Sequence, residues 1–270
     1  WDFSTGNLIS ILDEADDAMS AAKFSPNGEQ LVTQAINSSN LFLWNGLTGE
    51  FTATIAGSIS SHFLDFGPPI SFTTDSSRIF TSGHLWNAQT GELIATLDSD
   101  SIYGEFSLDG SRLITWRERE RPTLWEGRLG IRIEELFTSA IPGIPPIFSP
   151  DGTKIVLGTD ESPSDGFSEV HLWSSETGEE ISFQRDGLRG DITVTKFSPD
   201  GGYYLTAGKD GQVIFWNADT GNLIARLQPH DRIVDSATFS ADGMRLITTS
   251  GENVYLWDIT AILRQLRQQD

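Results

Sequence analysis

Side chains able to do chemistry are few and scattered along this chain. It has no cysteine, which removes thiolate chemistry and any disulfide framework. Its four histidines stand in unrelated contexts, none beside a recognisable Ser or Asp partner for nucleophilic catalysis. Residues 13–17, DEADD, concentrate four carboxylates, but they lack the spacing and the glycine of a calcium loop and read as a solvated turn. No Gly-rich phosphate loop with its lysine occurs, and Asp and Glu are too numerous to nominate an acid–base pair. The expectation is a protein without catalytic residues, cofactor or metal, which works through contact surfaces.

Charge narrows the choice of contacts. Acidic residues number 38 against 18 basic, for a formal charge of −20. Such a surface keeps a domain soluble by self-repulsion and, if it steers any partner, steers a basic one. Nucleic acid and anionic membranes are disfavoured, because both need concentrated Lys and Arg. No apolar run reaches the ~18 residues of a membrane span, and no signal peptide opens the chain. Together with the missing cysteine, this points to an intracellular home, cytoplasmic or nuclear.

The elements that would carry such surfaces repeat. Turns read FSPNG at 24–28, FTTDS at 72–76, FSLDG at 106–110, FSPDG at 148–152 and 197–201, and FSADG at 239–243. Each is followed by a strand-like run ending in Trp, at Trp44, Trp86, Trp125, Trp173, Trp216 and Trp257, with Trp1 opening the chain. A period of roughly 40–45 residues with four short strands per unit signals a propeller blade. Residues 192–227 show one unit. Ile192, Val194 and Lys196 alternate with Thr193, Thr195 and Phe197 as a strand should. Pro199-Asp200-Gly201 turns the chain, and Tyr203–Ala207 forms the second strand. Lys209-Asp210-Gly211 is a hairpin turn before the third strand, Gln212–Trp216, and Asn222–Leu227 is the fourth. Such sheets bury their faces only by stacking on one another, which gives each terminal Trp a packing role.

The pairing of FSPDG-like turns with LWN-x-x-TGE-like ends resembles the WD-repeat family of β-propellers over essentially the whole chain. The resemblance implies an all-β fold of four-stranded antiparallel blades, a single domain over 1–270, and a scaffold for protein–protein interaction. Only Trp1-Asp2 and Trp257-Asp258 keep the namesake dipeptide. The family's polar core of His, Ser or Thr, Asp and Trp is eroded. A Thr column persists at Thr33, Thr81, Thr115, Thr206 and Thr248, broken by Leu157, and His230, Thr248 and Trp257 form the best partial set. The chain opens in mid-motif, at WDFSTGN, which reads as a piece of a longer chain or complex. Seven blades with the first incomplete are favoured over six closed by the N-terminal segment. Asn7–Leu12 and the tail Ile259–Leu266 are fourth-strand candidates, and the tail also suits a short helix.

In this family, partners usually meet the face formed by second-to-third-strand hairpins and inter-blade connections. The unusual loops there nominate Phe63 in the long connection 56–70, and Trp116, Arg117, Arg119 and Arg121 in and around WRERER. They also nominate Phe167 in the insertion 160–169, and Arg185 and Arg189 in QRDGLRGD. Trp and Arg dominate binding hot spots. The leading reading is a scaffold for a protein or peptide partner. Two alternatives stand beside it: a ligand-sensing, autoinhibitory C-terminal domain of a signalling NTPase similar to NACHT-type receptors, and a constitutive subunit of a large assembly.

Overall fold

The computed structural model describes residues 2, 4–13, 19–35, 40–56, 70–97, 103–117, 120–138, 142–160, 162, 166–185, 189–227 and 230–262. Its elements are almost all strands. The first sheet joins β1 (Met19–Phe24), β2 (Gln30–Ala35), β3 (Asn40–Asn45) and β4 (Phe51–Ala56) in that order. The second holds β5 (Ser71–Phe72), β6 (Arg78–Thr81), β7 (His84–Asn87) and β8 (Leu93–Thr96). The third holds β9 (Tyr103–Phe106), β10 (Arg112–Trp116), β11 (Thr123–Glu126) and β12 (Arg132–Glu135). The fourth holds β13 (Ile147–Phe148), β14 (Lys154–Gly158), β15 (Val170–Ser174) and β16 (Glu180–Gln184). The fifth holds β17 (Ile192–Phe197), β18 (Tyr203–Gly208), β19 (Val213–Asn217) and β20 (Leu223–Arg226). The sixth has three strands among the described residues, β21 (Ser236–Phe239), β22 (Arg245–Ser250) and β23 (Asn253–Asp258). The described pairings are antiparallel, and strand order within each sheet follows the chain.

Local chemistry explains the repetition. In each FSPDG-like turn the hydroxyl at the second position donates to the turn Asp, or to Asn27 in the first, as in Ser149 to Asp151 (2.6 Å) and Ser198 to Asp200 (2.6 Å). The same hydroxyl accepts the backbone N–H that begins the second strand, as Ser149 does from Lys154 at 2.9 Å. These bonds hold the Asp75, Asp109 and Asp242 carboxyls below the usual range, led by the hydroxyls of Thr73, Ser107 and Ser240. At Asp151 burial pushes upward, and the Ser149 and Thr153 bonds prevail. Asp2 heads a turn of the TGE-like kind at residues 4–7, its carboxyl drawn down to about 2 by Ser4 and Thr5.

The TGE-like turns set how successive sheets approach. Asn217 Oδ1 accepts from the amides of Asp219 and Thr220, and Gly221 follows at φ 69°. A Cβ on Gly221 would fall 2.2 Å from the Ser182 Cβ on β16. Gly91 meets Ala53 on β4 in the same way, and Gly178 meets Glu134 on β12. Only glycine fits both this backbone and this approach.

The described chain clusters into two compact units, Trp1–Arg117 with Trp125–Arg132, and Glu118–Leu124 with Ile133–Asp270. In the first, Val32, Leu41, Leu43 and Ile55 pack on Ile70, Ile79 and Trp86 of the following sheet, while Phe80 and Leu85 pack on Phe106, Leu113 and Trp125. In the second, Val156, Val170 and Leu172 pack on Ile192, Tyr204 and Trp216, and Leu205, Val213 and Phe215 pack on Val234, Ala237 and Leu246. The core thus lies between consecutive sheets, as expected for units that cannot cover their own faces. The sixth sheet ends the series. Ile247, Val254 and Leu256, register equivalents of Leu205, Val213 and Phe215, are 45%, 70% and 67% exposed.

The two terminal segments depart from their expected form. Residues 6–13 carry no strand assignment, although Gly49 rests on Ser10 and Leu12 just as the later glycines rest on fourth strands. The tail 259–266 is not a fourth strand where it is described. Residues 260–262 are helical, started by the Asp258 carboxylate, which accepts the Thr260 amide at 3.0 Å. No helix among the described residues is long and apolar enough to cross a membrane.

Candidate functional site

Buried polar contacts come first, because they hold the strands from which the loops emerge. Trp44, Trp125, Trp216 and Trp257 each donate their indole N–H to a Thr on the neighbouring second strand, at 2.8–2.9 Å. These are Thr33, Thr115, Thr206 and Thr248, the column seen in the sequence. In the second sheet the pair is present but unmade, since Thr81 Oγ1 and Trp86 Nε1 are buried without a partner. His230, Thr248 and Trp257 do form one chain of bonds. His230 Nε2 lies 2.7 Å from Thr248 Oγ1, and Nδ1 lies 3.1 Å from the Gly211 carbonyl. A neutral ring protonated on Nδ1 satisfies both, while Thr248 accepts from Trp257. His230 is thus a structural clamp between a hairpin of the fifth sheet and β22.

A second histidine was missed by the sequence reading. His171 on β15 is buried, with Nδ1 2.6 Å from Glu180 Oε1 and Nε2 3.2 Å from Glu169 Oε2, and it stacks on Trp173 at 5.1 Å. Glu169 and His171 are two apart, so strand alternation places them on one face, a signal available in the sequence. Glu180 comes from β16, beyond a register shift between Leu172 and Trp173, and nothing local announces it. The cluster occupies the fourth sheet, where Leu157 replaces the threonine.

The nominated surface residues fall into separate groups. Trp116 ends β10, half-buried, stacked on its cross-strand partner Tyr103 at 5.8 Å and 18°, with Arg117 exposed beside it. Arg121 belongs to the second compact unit. Its guanidinium lies 3.9 Å over the Phe137 ring and 3.6 Å from Glu135. Phe137 is 62% exposed and was not nominated. Arg119 and Phe63 lie outside the described residues. So do residues 14–17 of the DEADD run. Among the described residues, no group of three or more His, Cys, Asp or Glu is arranged to hold a metal ion.

Phe167, Arg185 and Arg189 come together. Phe167 and Arg189 form an isolated antiparallel bridge, with the Arg189 guanidinium 4.9 Å and that of Arg185 6.0 Å from the Phe167 ring centre. The 159–169 hairpin that presents Phe167 is closed by Thr159 N–H to the Glu169 carbonyl (3.0 Å) and by Ser162 N–H to the Phe167 carbonyl (2.9 Å). Gly166, at φ 75°, donates its N–H to the Ser162 carbonyl at 2.9 Å. Ser168 Oγ donates to the Gly190 carbonyl at 2.5 Å and ties the hairpin to the connection that follows β16. Across that connection Lys209 pairs with Asp191.

Comparison with known proteins agrees with this architecture. The family described as WD domain, G-beta repeat matches residues 184–217 and 221–258. Protein tipD of Dictyostelium discoideum is 24% identical over 233 residues, which are 83% of this chain and 37% of that protein. Protein Atg16l2 of Homo sapiens is 37% identical over 79 residues, 28% of this chain and 13% of that protein. WD repeat-containing protein 1 of Xenopus tropicalis is 32% identical over 74 residues, 26% of this chain and 12% of that protein. The chain therefore spans a minor part of the length of each relative. Among solved structures, the C-terminal WD40 domain of Sif2 superposes with a TM-score of 0.62 at 16% identity, covering 91% of this chain and 68% of that one. Kuenenia stuttgartiensis hydrazine synthase superposes with a TM-score of 0.57 at 14% identity, covering 96% and 83%. At such identities the superpositions speak for the fold alone. The repeat spacing and strand order are those of a WD-repeat β-propeller fold, and residues 184–217 and 221–258 carry a sequence match to that family's repeat.

Proposed function

We propose that residues 1–270 act as a non-catalytic interaction module. It binds a protein or peptide partner where the second-to-third-strand hairpins and the sheet-to-sheet connections emerge. Domains of this family generally mediate protein–protein contacts, and the finer reading is carried by the way Phe167, Arg185 and Arg189 converge on a closed hairpin. Loops on a rigid core present side chains at little entropic cost, and the strands beneath this hairpin are buried. Trp116, Arg117, Arg119, Arg121 and Phe63 are separate candidates for partner contact.

Affinity recovery from native extract, followed by rebinding of the purified partner, tests the reading. Trp116→Ala with Arg119→Glu, and separately Phe167→Ala, should each reduce recovery at least tenfold while circular dichroism stays unchanged. Full recovery by both variants would remove the reading, as would substrate turnover by the purified chain.

A further inference from the structure

We propose that Asn27 is a site of covalent self-modification, where the first turn of the first sheet converts asparagine to aspartate through attack by the Gly28 amide. The conversion needs water but no partner, and it stands apart from the interaction-module reading.

The chain holds two Asn-Gly pairs, Asn27-Gly28 between β1 and β2 and Asn45-Gly46 at the end of β3. A glycine after asparagine carries no Cβ to crowd its nitrogen or to restrict the peptide before it. That nitrogen can attack the asparagine side-chain carbonyl. A bond forms between Gly28 N and Asn27 Cγ, the Cγ–Nδ2 bond breaks, and the amide proton leaves with the amine as ammonia. Water then opens the five-membered imide. Opening at the side-chain carbonyl gives aspartate, and opening at the backbone carbonyl gives isoaspartate. Negative charge that develops on Asn27 Oδ1 during the attack is met by two donors, the Ser25 hydroxyl at 2.8 Å and the Glu29 amide at 3.0 Å.

Tertiary structure separates the two pairs. Asn45 Oδ1 also accepts two amides, from Leu47 at 2.9 Å and Thr48 at 3.0 Å, so a polarised carbonyl is common to both. Freedom to turn the Asn–Gly peptide is not. Asn27 is exposed, Gly28 stands at φ 75°, and no described atom beyond its chain neighbours lies within 4 Å of where its Cβ would sit. Turning that peptide breaks one described backbone bond, from Gly28 N–H to the Ser25 carbonyl at 2.9 Å. Asn45 is half-buried, and a Cβ on Gly46 would collide with the Gly28 carbonyl oxygen. The Asn45–Gly46 peptide is held at both ends, by Gly46 N–H to the Glu29 carbonyl at 2.7 Å and by Gly49 N–H to the Asn45 carbonyl at 2.8 Å. The first turn also suits the product. Asp75, Asp109, Asp151, Asp200 and Asp242 fill the position of Asn27 in the other five turns. Each accepts the same two bonds, as Asp109 does from the Ser107 hydroxyl at 2.7 Å and the Ser111 amide at 3.0 Å. Such bonds favour an ionised carboxylate. The bond given up, from Asn27 Nδ2 to Glu29 Oε2 at 2.9 Å, joins two exposed residues and is replaced by water at small cost.

The test incubates the whole 270-residue chain in mildly alkaline buffer, folded in one sample and in denaturing urea in the other, and follows both by peptide mapping with fragment mass spectrometry. In urea the two pairs should convert at similar rates, because the dipeptide alone decides. In the folded chain Asn27 should convert at least tenfold faster than Asn45, and the ratio of aspartate to isoaspartate at position 27 should exceed that found in urea. Asn27→Asp, made by mutation, should melt at or above the temperature of the parent. Equal protection of the two pairs by folding, or faster conversion at Asn45, overturns the proposal. So does a product ratio no higher than in urea, or an Asn27→Asp protein that melts below the parent, since either shows that the turn does not accept the carboxylate.

Discussion

Removing one buried hydroxyl tests whether the Thr–Trp bonds carry stability. Thr206 is 1% exposed, and its Oγ1 accepts the Trp216 indole N–H at 2.9 Å, with Trp216 itself 1% exposed. Thr206→Val keeps the shape and strands that N–H away from water. A buried donor left unmatched costs about 1–3 kcal/mol, which for a chain of this size lowers the melting temperature by roughly 2–8 °C. The protein supplies its own control. Thr81 holds the same position in the second sheet, is equally buried, and makes no bond to Trp86. Thr81→Val removes a hydroxyl that already lacks a partner, so its effect should lie within about 0.5 kcal/mol of zero. Differential scanning fluorimetry at one scan rate, checked by urea titration, compares the two on equal terms. Equal losses, or a larger loss for Thr81→Val, would refute the assignment of the stabilisation to the hydrogen bond.

Neighbouring tyrosines make a parallel pair. Burial pushes both phenols up, most fully at Tyr204, whose Oη has no partner, whereas Tyr203 Oη donates to the Gly243 carbonyl at 2.9 Å. Tyr204→Phe should leave stability unchanged or raised, and Tyr203→Phe should lower it by about 0.5–1.5 kcal/mol, read from urea midpoints. The turn aspartates set acid behaviour. Asp75, Asp109 and Asp151 have carboxyls depressed by folding, so their contribution is present above the unfolded value near pH 4 and is lost as pH falls through the folded value. Urea midpoints should decline below about pH 4, and Asp109→Asn should start lower at neutral pH and decline less, because one linked carboxyl is gone.

How much of this was legible depends on the range of each interaction. The strand–turn–strand order of the fifth sheet, read from Ile192 to Leu227, recurs in the structure within a residue or two at each boundary. Alternation and turn chemistry are local properties. Thr33, Thr115, Thr206 and Thr248 met their indoles because paired second and third strands hold one register. Local pattern failed where a partner came from elsewhere. Arg121 lies on Phe137, and Glu180 meets His171 across a register shift. The fourth-strand pattern of Asn7–Leu12 carried no strand, because a strand exists only where a neighbouring edge receives its hydrogen bonds.

By itself the sequence determined the repeat, the four-strand grammar of the first five sheets, and the Thr and Trp positions along the second and third strands. All of these follow from the period-two pleat and from turns a few residues long. Only the tertiary structure decided which loop side chains meet. Phe167 and Arg189 stand 22 positions apart and touch because Ser168 and Gly190 tie a hairpin to the connection beside it. Contacts of that kind are made by the stacking of rigid sheets, whose approach is set by packing across the whole interface and is written in no single stretch of chain.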